Sequence, residues 1–218
     1  QAAFSMLSRS KQLTYENLQL RDPCLIDRVD SWFADDVRAA GHVVNGTPPP
    51  MFTPFSARSM TITNRVVVSP MDMYSSIEGL PGDFHFVHLG GMALGGAGLI
   101  FSEMVCVSAE GRITPGCSGL YSDEHVKAWK RLISFVHENS DAKFCLQLGH
   151  AGRKGSTRIG WEGMDMSLTG GNWDVISPSA LAHGIGMHVP REMNRADMEN
   201  VRDEFVQATL RANTAGAD

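Results

Sequence analysis

The sequence predicts an α/β fold in which a helical segment precedes strand–loop–helix units that build a parallel sheet. After residue 50, short β-branched or aliphatic runs of strand length alternate with amphipathic stretches of helix length. Many of the 22 glycines fall between those runs, where turns are needed. The 218 residues are 43% hydrophobic and 20% charged, an ordinary globular composition.

Taken in order, residues 1–40 read as helical and polar-rich. Asp22-Pro23 is a helix start, with Asp as cap and Pro in the first turn. Leu25, Val29, Trp32, Phe33 and Val37 follow at helical spacing. Residues 41–50, with Asn45-Gly46 and three consecutive prolines, cannot continue that helix and read as a linker between domains. Val66-Val67-Val68 ends at Ser69-Pro70 and reads as a buried first strand. Residues 83–94 form a helix, and residues 98–104 a second strand. Residues 123–139 form an amphipathic helix with Val126, Trp129, Leu132, Ile133 and Val136 on one face. Residues 143–148 form a third strand. A long structureless loop over residues 149–191 follows, of a length found chiefly over active sites. Asn194 or Asp197 then caps a helix to about Ala212, carrying Val201, Phe205, Val206 and Leu210.

Three βα units imply right-handed crossovers. They complete neither a doubly wound sheet nor a barrel, and Gly216-Ala217-Asp218 stands where a fourth strand is expected.

Composition excludes several classes. Nineteen basic against twenty-four acidic residues give a net charge of −5, and the Lys and Arg are scattered, so no nucleic-acid partner is expected. No run approaches the roughly 18–20 apolar residues of a membrane span, and Gln1-Ala2-Ala3 is no signal peptide. A start at Gln1 points to a processed or cut chain. Cys24, Cys106, Cys117 and Cys145 form no CxxC pair or metal spacing, which makes a reducing cytoplasm the default. Cys106, Cys117 and Cys145 read as small buried hydrophobes. Neither GxGxxG at a strand-to-helix turn nor a Walker loop is present.

In a parallel α/β sheet, ligands collect at the carboxyl ends of the strands. Those ends carry Ser69-Pro70-Met71-Asp72-Met73-Tyr74, then Glu103-Met104-Val105, then Gln147-Leu148-Gly149-His150-Ala151-Gly152-Arg153-Lys154. Polar and basic groups from the three clusters can converge on one mouth. His85 and His88 are spaced i, i+3 but lack a third ligand, so packing or loop capping is their expected role. His150 reads equally as a structural or a catalytic group. Asp72 has a turn-capping reading beside its site reading.

The same residues carry a resemblance. Phe52-Thr53-Pro54-Phe55, Asn64-Arg65 through Met71, Gly96-Ala97-Gly98-Leu99-Ile100, Ser108-Ala109-Glu110-Gly111-Arg112 and Gln147 through Lys154 are together similar to the Old Yellow Enzyme family of FMN-dependent reductases. The resemblance covers residues 51–218. It implies the N-terminal part of a TIM (β/α)8 barrel, incomplete, preceded by a helical segment. Ser8 to Leu18, continuing to Phe33, resembles the tail of an FAD-dependent aromatic hydroxylase. The combination resembles the bifunctional aryl-CoA monooxygenase/reductases, with residues 1–40 as the tail of an upstream FAD domain.

Carried over by residue, the resemblance implies that Ser69, Pro70 and Met71 line the FMN isoalloxazine and that Gln147 bonds its pyrimidine edge, an amide offering both donor and acceptor. It sets Tyr74 facing the substrate, and Arg153 and Lys154 beside the flavin or an acyl substrate. Two positions depart from the family. Asp72 stands where one subclass has Cys, and a carboxylate there is expected to lower the flavin's reduction potential. Met104 stands where the family has a small residue, and reshapes the pocket; both are counted among the cofactor-lining residues. The family's substrate-orienting pair at strand four and its phosphate groups on strands seven and eight have no counterpart here, so this chain alone is expected to be inactive. The implied reaction takes reductant from NADH or NADPH and reduces a small molecule, an aryl-CoA thioester or enone, in a homo-oligomeric parent. A stand-alone ene-reductase or dienoyl-CoA reductase, and a non-catalytic partial-barrel module, are the alternatives.

Overall fold

The computed structural model describes residues 22–163 and 165–218, together with positions 3, 7, 8 and 20. Residues 9–19, within the segment on which the hydroxylase-tail resemblance rests, therefore lie outside the described residues. Helix α1 (Pro23–Ala39) begins as read: the Asp22 carboxylate accepts Leu25 N at 2.8 Å, with Pro23 in the first turn. Its buried stripe, however, is Ile26, Asp30, Ala34 and Val37, while Trp32 is 61% exposed and Leu25 lies outside. Two stripes offset by one residue satisfy the same 3.6-residue period. Docking against the turn Pro50–Phe52 decides between them, and sequence spacing does not. Residues 42–49 carry neither helix nor strand, and the Arg38 guanidinium holds the Val44 and Gly46 carbonyls across them.

A small antiparallel hairpin, β1 (Phe55–Ala57) with β2 (Met60–Ile62), leads into the parallel sheet. Strand β3 (Val67–Val68) is only two residues long, and Val67 is 44% exposed, which corrects the expectation of a buried strand. The cause is one-sided pairing: β3 meets only β4 among the described residues, so one edge stays open. The Asn64-Arg65 pair fixes the approach to it. Asn64 donates to Gly96 O (2.9 Å) and accepts from Val66 N (3.0 Å), while Arg65 lies over the rings of Phe33 and Phe55.

Helix α2 (Asp83–Leu94), strand β4 (Leu99–Cys106), helix α3 (Asp123–Asn139) and strand β6 (Lys143–Gly149) complete two parallel βαβ units, with α2 and α3 falling where read. Gly98, just before β4, has no room for a side chain: a Cβ would sit 2.2 Å from Asn64 O. A two-residue strand, β5 (Ser118–Gly119), pairs with the end of β4 on the side that β3 occupies at its start. Trp129, Phe144, Ile100, Leu120, Ile133 and Val136 fill the space between helices and sheet. Burying side chains of this size stabilises by about 1.5–3 kcal/mol each.

Between Phe101 and Met104, β4 has two residues where β6 has one. This bulge lets Glu103 face the helices while Met104 stays beside Gln147 on the opposite face.

The stretch read as a structureless loop, 149–191, carries structure of its own: a 3-10 turn at Gly152–Lys154, a helical turn at Gly160–Gly163 and a parallel pair, β7 (Ile176–Ser177) with β8 (Arg191–Glu192). Helix α4 (Arg195–Ala215) is capped by Asn194, whose side chain accepts Asp197 N at 3.0 Å. Its buried residues are Ala208 and Ala215, whereas Val206 and Leu210 are exposed, contrary to the expected apolar face. Alanines let α4 lie close on α3 and β6, leaving the larger apolar side chains outward. Cys106 and Cys117 are buried as expected, but Cys145 is half-buried because it lies on the open face of β6. Asp218 runs beside β6: its amide donates to Phe144 O (2.9 Å), and its carboxylate takes Phe144 N, Lys143 Nζ and His137 Nε2 at 2.8–2.9 Å.

Candidate functional site at the strand ends

The carboxyl ends of β3, β4 and β6 do share one mouth. Past Val68 the chain leaves the ladder, and residues 69–76 run without regular structure beside β4, meeting it at Glu103 and Met104. Met104 and Gln147 are direct cross-strand partners on the mouth side. The exposed Gln147 side chain has no hydrogen-bond partner among the described residues, leaving both ends of its amide for a ligand. Gly149 makes room for Met104: a Cβ there would lie 2.5 Å from the methionine Cγ and Sδ. Tyr74, Met104 and Ala151 pack on Cys106, Ile113 and Cys117, tying all three clusters together.

Ser69 and Met71 are exposed and Pro70 half-buried. Asp72 accepts Met104 N on Oδ1 at 3.0 Å, which corrects the turn-capping reading: the carboxylate reaches across to β4 instead of closing its own turn. Burial raises the Asp72 carboxyl above its ordinary value, the Met104 amide and Lys154 pulling against this and Glu103 adding to it. Tyr74 has φ +50, the left-handed region, at a cost of about 1–2 kcal/mol for a residue with a Cβ. Burial first, then Asp72, pushes its phenol up to about 12.

Lys154 lies near enough to Asp72 to influence it and pairs with Asp165 at 3.0 Å. Arg153 instead donates to Ser179 Oγ at 3.1 Å and lines a cavity of about 340 Å³ with His150, Ile176, Ser177, Pro178 and Met193. His150 accepts Gly152 N on Nδ1 at 3.0 Å, a structural bond, and burial lowers its pKa.

One constellation goes beyond the residues read as the site. Glu103, 2% exposed, accepts His85 Nε2 (2.7 Å), Ser118 Oγ (2.6 Å) and Met73 N (2.7 Å). Ser76 Oγ completes the cluster at 2.6 Å from Ser118 Oγ. The Gly82 amide donates to His85 Nδ1 (3.2 Å), which leaves the ring proton on Nε2 to point at the carboxylate. Burial opposes ionisation of Glu103, yet the bonds from His85, Ser118 and the Met73 amide outweigh it and hold the carboxyl below its ordinary value. A charged residue inside the apolar run of β4 was the available signal. His85 thus performs the capping role expected of it, and serves Glu103 as well.

A family model described as the NADH:flavin oxidoreductase / NADH oxidase family matches residues 50–218. An NADH:flavin oxidoreductase of Gibberella zeae is 36% identical over 173 residues, covering 77% of this chain and 42% of that protein. An NADPH dehydrogenase of Bacillus cytotoxicus is 35% identical over 170 residues, covering 77% and 45%. Among solved structures, morphinone reductase in complex with tetrahydroNAD superposes with a TM-score of 0.64 at 26% identity, covering 78% of this chain and 48% of that one. The chain spans about half the length of the curated relatives it matches.

Proposed function

We propose that this chain, which belongs to the NADH:flavin oxidoreductase / NADH oxidase family, contributes the first three βα units of an FMN site that serves NAD(P)H-dependent reduction of an electron-poor double bond or ring. The observation that carries the reading is Gln147: an exposed amide, free on both ends among the described residues, beside Met104 and in the same mouth as segment 69–74. That donor–acceptor pair fits the pyrimidine edge of an isoalloxazine. Bound there, FMN supplies hydride acceptance from NADH or NADPH and hydride delivery to the substrate.

The chain's own residues do the rest. Backbone of Ser69, Pro70 and Met71 lies along the ring, and Gln147 fixes its orientation. Tyr74, with a phenol held far above neutral pH, stays protonated and presents an O–H to the substrate. Met104 narrows the substrate side. Lys154 supplies positive charge at the rim, while Arg153 acts at the neighbouring 176–179 turn. Asp72 sets a negative charge near the ring, which lowers its reduction potential. For the whole protein we propose an aryl-CoA thioester substrate, whose carbonyl polarises the adjacent ring, an upstream FAD-dependent monooxygenase domain, and a homo-oligomer. The motifs of residues 8–33 support that finer reading.

The test is the flavin content of the full-length natural polypeptide, released by denaturation, together with NADH and NADPH oxidation against an enone and an aryl-CoA thioester. Bound FMN and nicotinamide-dependent turnover are expected; a polypeptide that takes up no FMN overturns the reading. Gln147→Ala is expected to weaken FMN binding about tenfold, the loss of one well-made polar contact. Asp72→Asn is expected to raise the flavin midpoint potential, and an unchanged potential would refute the charge assigned to that position.

A further inference from the structure

The two ladders of β4 leave a gap. On one side of this strand β3 pairs at Leu99 and Ile100, β5 pairs at Val105 and Cys106, and among the described residues nothing in regular structure covers the residues between. Segment 69–74 crosses this gap, and its attachment is reciprocal. Glu103 Oε2 accepts Met73 N at 2.7 Å, while Asp72 Oδ1 accepts Met104 N at 3.0 Å. Two adjacent residues on each side exchange a carboxylate for the amide of the other's neighbour. Glu103 is anchored in turn by His85 and Ser118, so one end of the exchange is rigid. Tyr74, one residue on, is held at φ +50, a backbone state that persists only where its surroundings over-determine it.

We propose that Asp72 and Glu103 form a carboxylate clamp that positions segment 69–74, and with it Tyr74, for the flavin; both are positioning residues. The proposal rests on the flavin reading above. Asp72 thus does two separable things. Its oxygen holds the Met104 amide, which asparagine can imitate, and its charge acts on the ring, which asparagine cannot. Glu103→Gln cannot imitate Glu103, because the new NH₂ must face Met73 N–H or the His85 and Ser118 donors.

The experiment uses the full-length natural polypeptide with Asp72→Asn, Asp72→Ala and Glu103→Gln, reading FMN dissociation by fluorescence and amide hydrogen exchange at Met73 and Met104. Asp72→Ala is expected to weaken FMN binding about tenfold and to speed exchange at both amides, since releasing one side loosens the other. Asp72→Asn restores both readouts to within about twofold of the parent. Exchange that accelerates at Met104 alone, or FMN binding untouched in Asp72→Ala, overturns the clamp. Asp72 stands at the mouth, outside the packed core, so its variants are expected to fold, which urea denaturation checks. If the parent binds no FMN, the flavin reading fails, while the exchange pattern still decides whether the clamp exists.

Discussion

Glu103 carries a formal charge into a largely buried strand whose other residues, Leu99 to Ser102 and Met104 to Cys106, are all uncharged, and an unpaired carboxylate there would be prohibitively costly. Three donors offset that cost, so removal of the acceptor leaves them stranded. Glu103→Ala is expected to lower unfolding free energy by about 3 kcal/mol, measured by urea denaturation. The pH dependence has a definite sign. The folded state binds the Glu103 proton less tightly than the unfolded state does, so its contribution is complete above the unfolded value near 4.5 and is lost as acid protonates the folded carboxyl. Glu103→Gln should flatten that part of the stability profile, and an unchanged acid limb would contradict the assignment. At this scale the sequence was partly legible. Gln147, Asp72 and Tyr74 stand out by their place at the ends of apolar runs, and His85 by its i, i+3 spacing with His88. The pairing of His85 with Glu103, 18 residues apart, depends on how α2 lies on β4, and no local pattern encodes it.

Among the elements, α2 and α3 were legible, α3 from its amphipathic face, and their ends are fixed in the structure by side chains: Asp83 in the first turn of one, and Ser122 accepting His125 N at 3.3 Å at the start of the other. The faces of α1 and α4 were not, since each is buried against a neighbour that periodicity does not name. Strand β3 was overread for a related reason: three valines favour a strand, but burial depends on neighbours at both edges. Two predictions belong here. Gly98→Ala forces a Cβ to 2.2 Å from a backbone oxygen, so it should cost about 1–3 kcal/mol and shift the thermal midpoint downward. At the start of α4, Asp197 accepts Arg191 and Asn194 N, and those bonds hold its carboxyl down at about 2. Acidification from about 4 to about 2 should therefore fray that end first, seen as faster amide exchange over residues 194–198, and Asp197→Asn should remove the transition.

Over the whole molecule, the sheet has one helix-covered face, one open mouth and an unpaired edge at β3 among the described residues. Exposed strand edges recruit other strands. Residues 1–218 expressed alone are expected to associate with rising concentration in sedimentation experiments, and a persistent monomer would show that the β3 edge is covered. No helix among the described residues is long and apolar enough to cross a membrane. The parallel alternation was legible because strand and helix periods differ. The β4 bulge was invisible, since a one-residue excess has no signature until the partner strand is known. Ser102 and Glu103 together stand opposite Leu146 alone. Deleting either would make the ladder regular, yet it would take away the acceptor for Gln147 N or the anchor of Met73. An engineer selecting for ideal strand geometry would make that deletion and lose the mouth. The count of residues in β4 therefore matters as much as their identity, because the extra residue is what lets one strand serve the helices and the mouth at once.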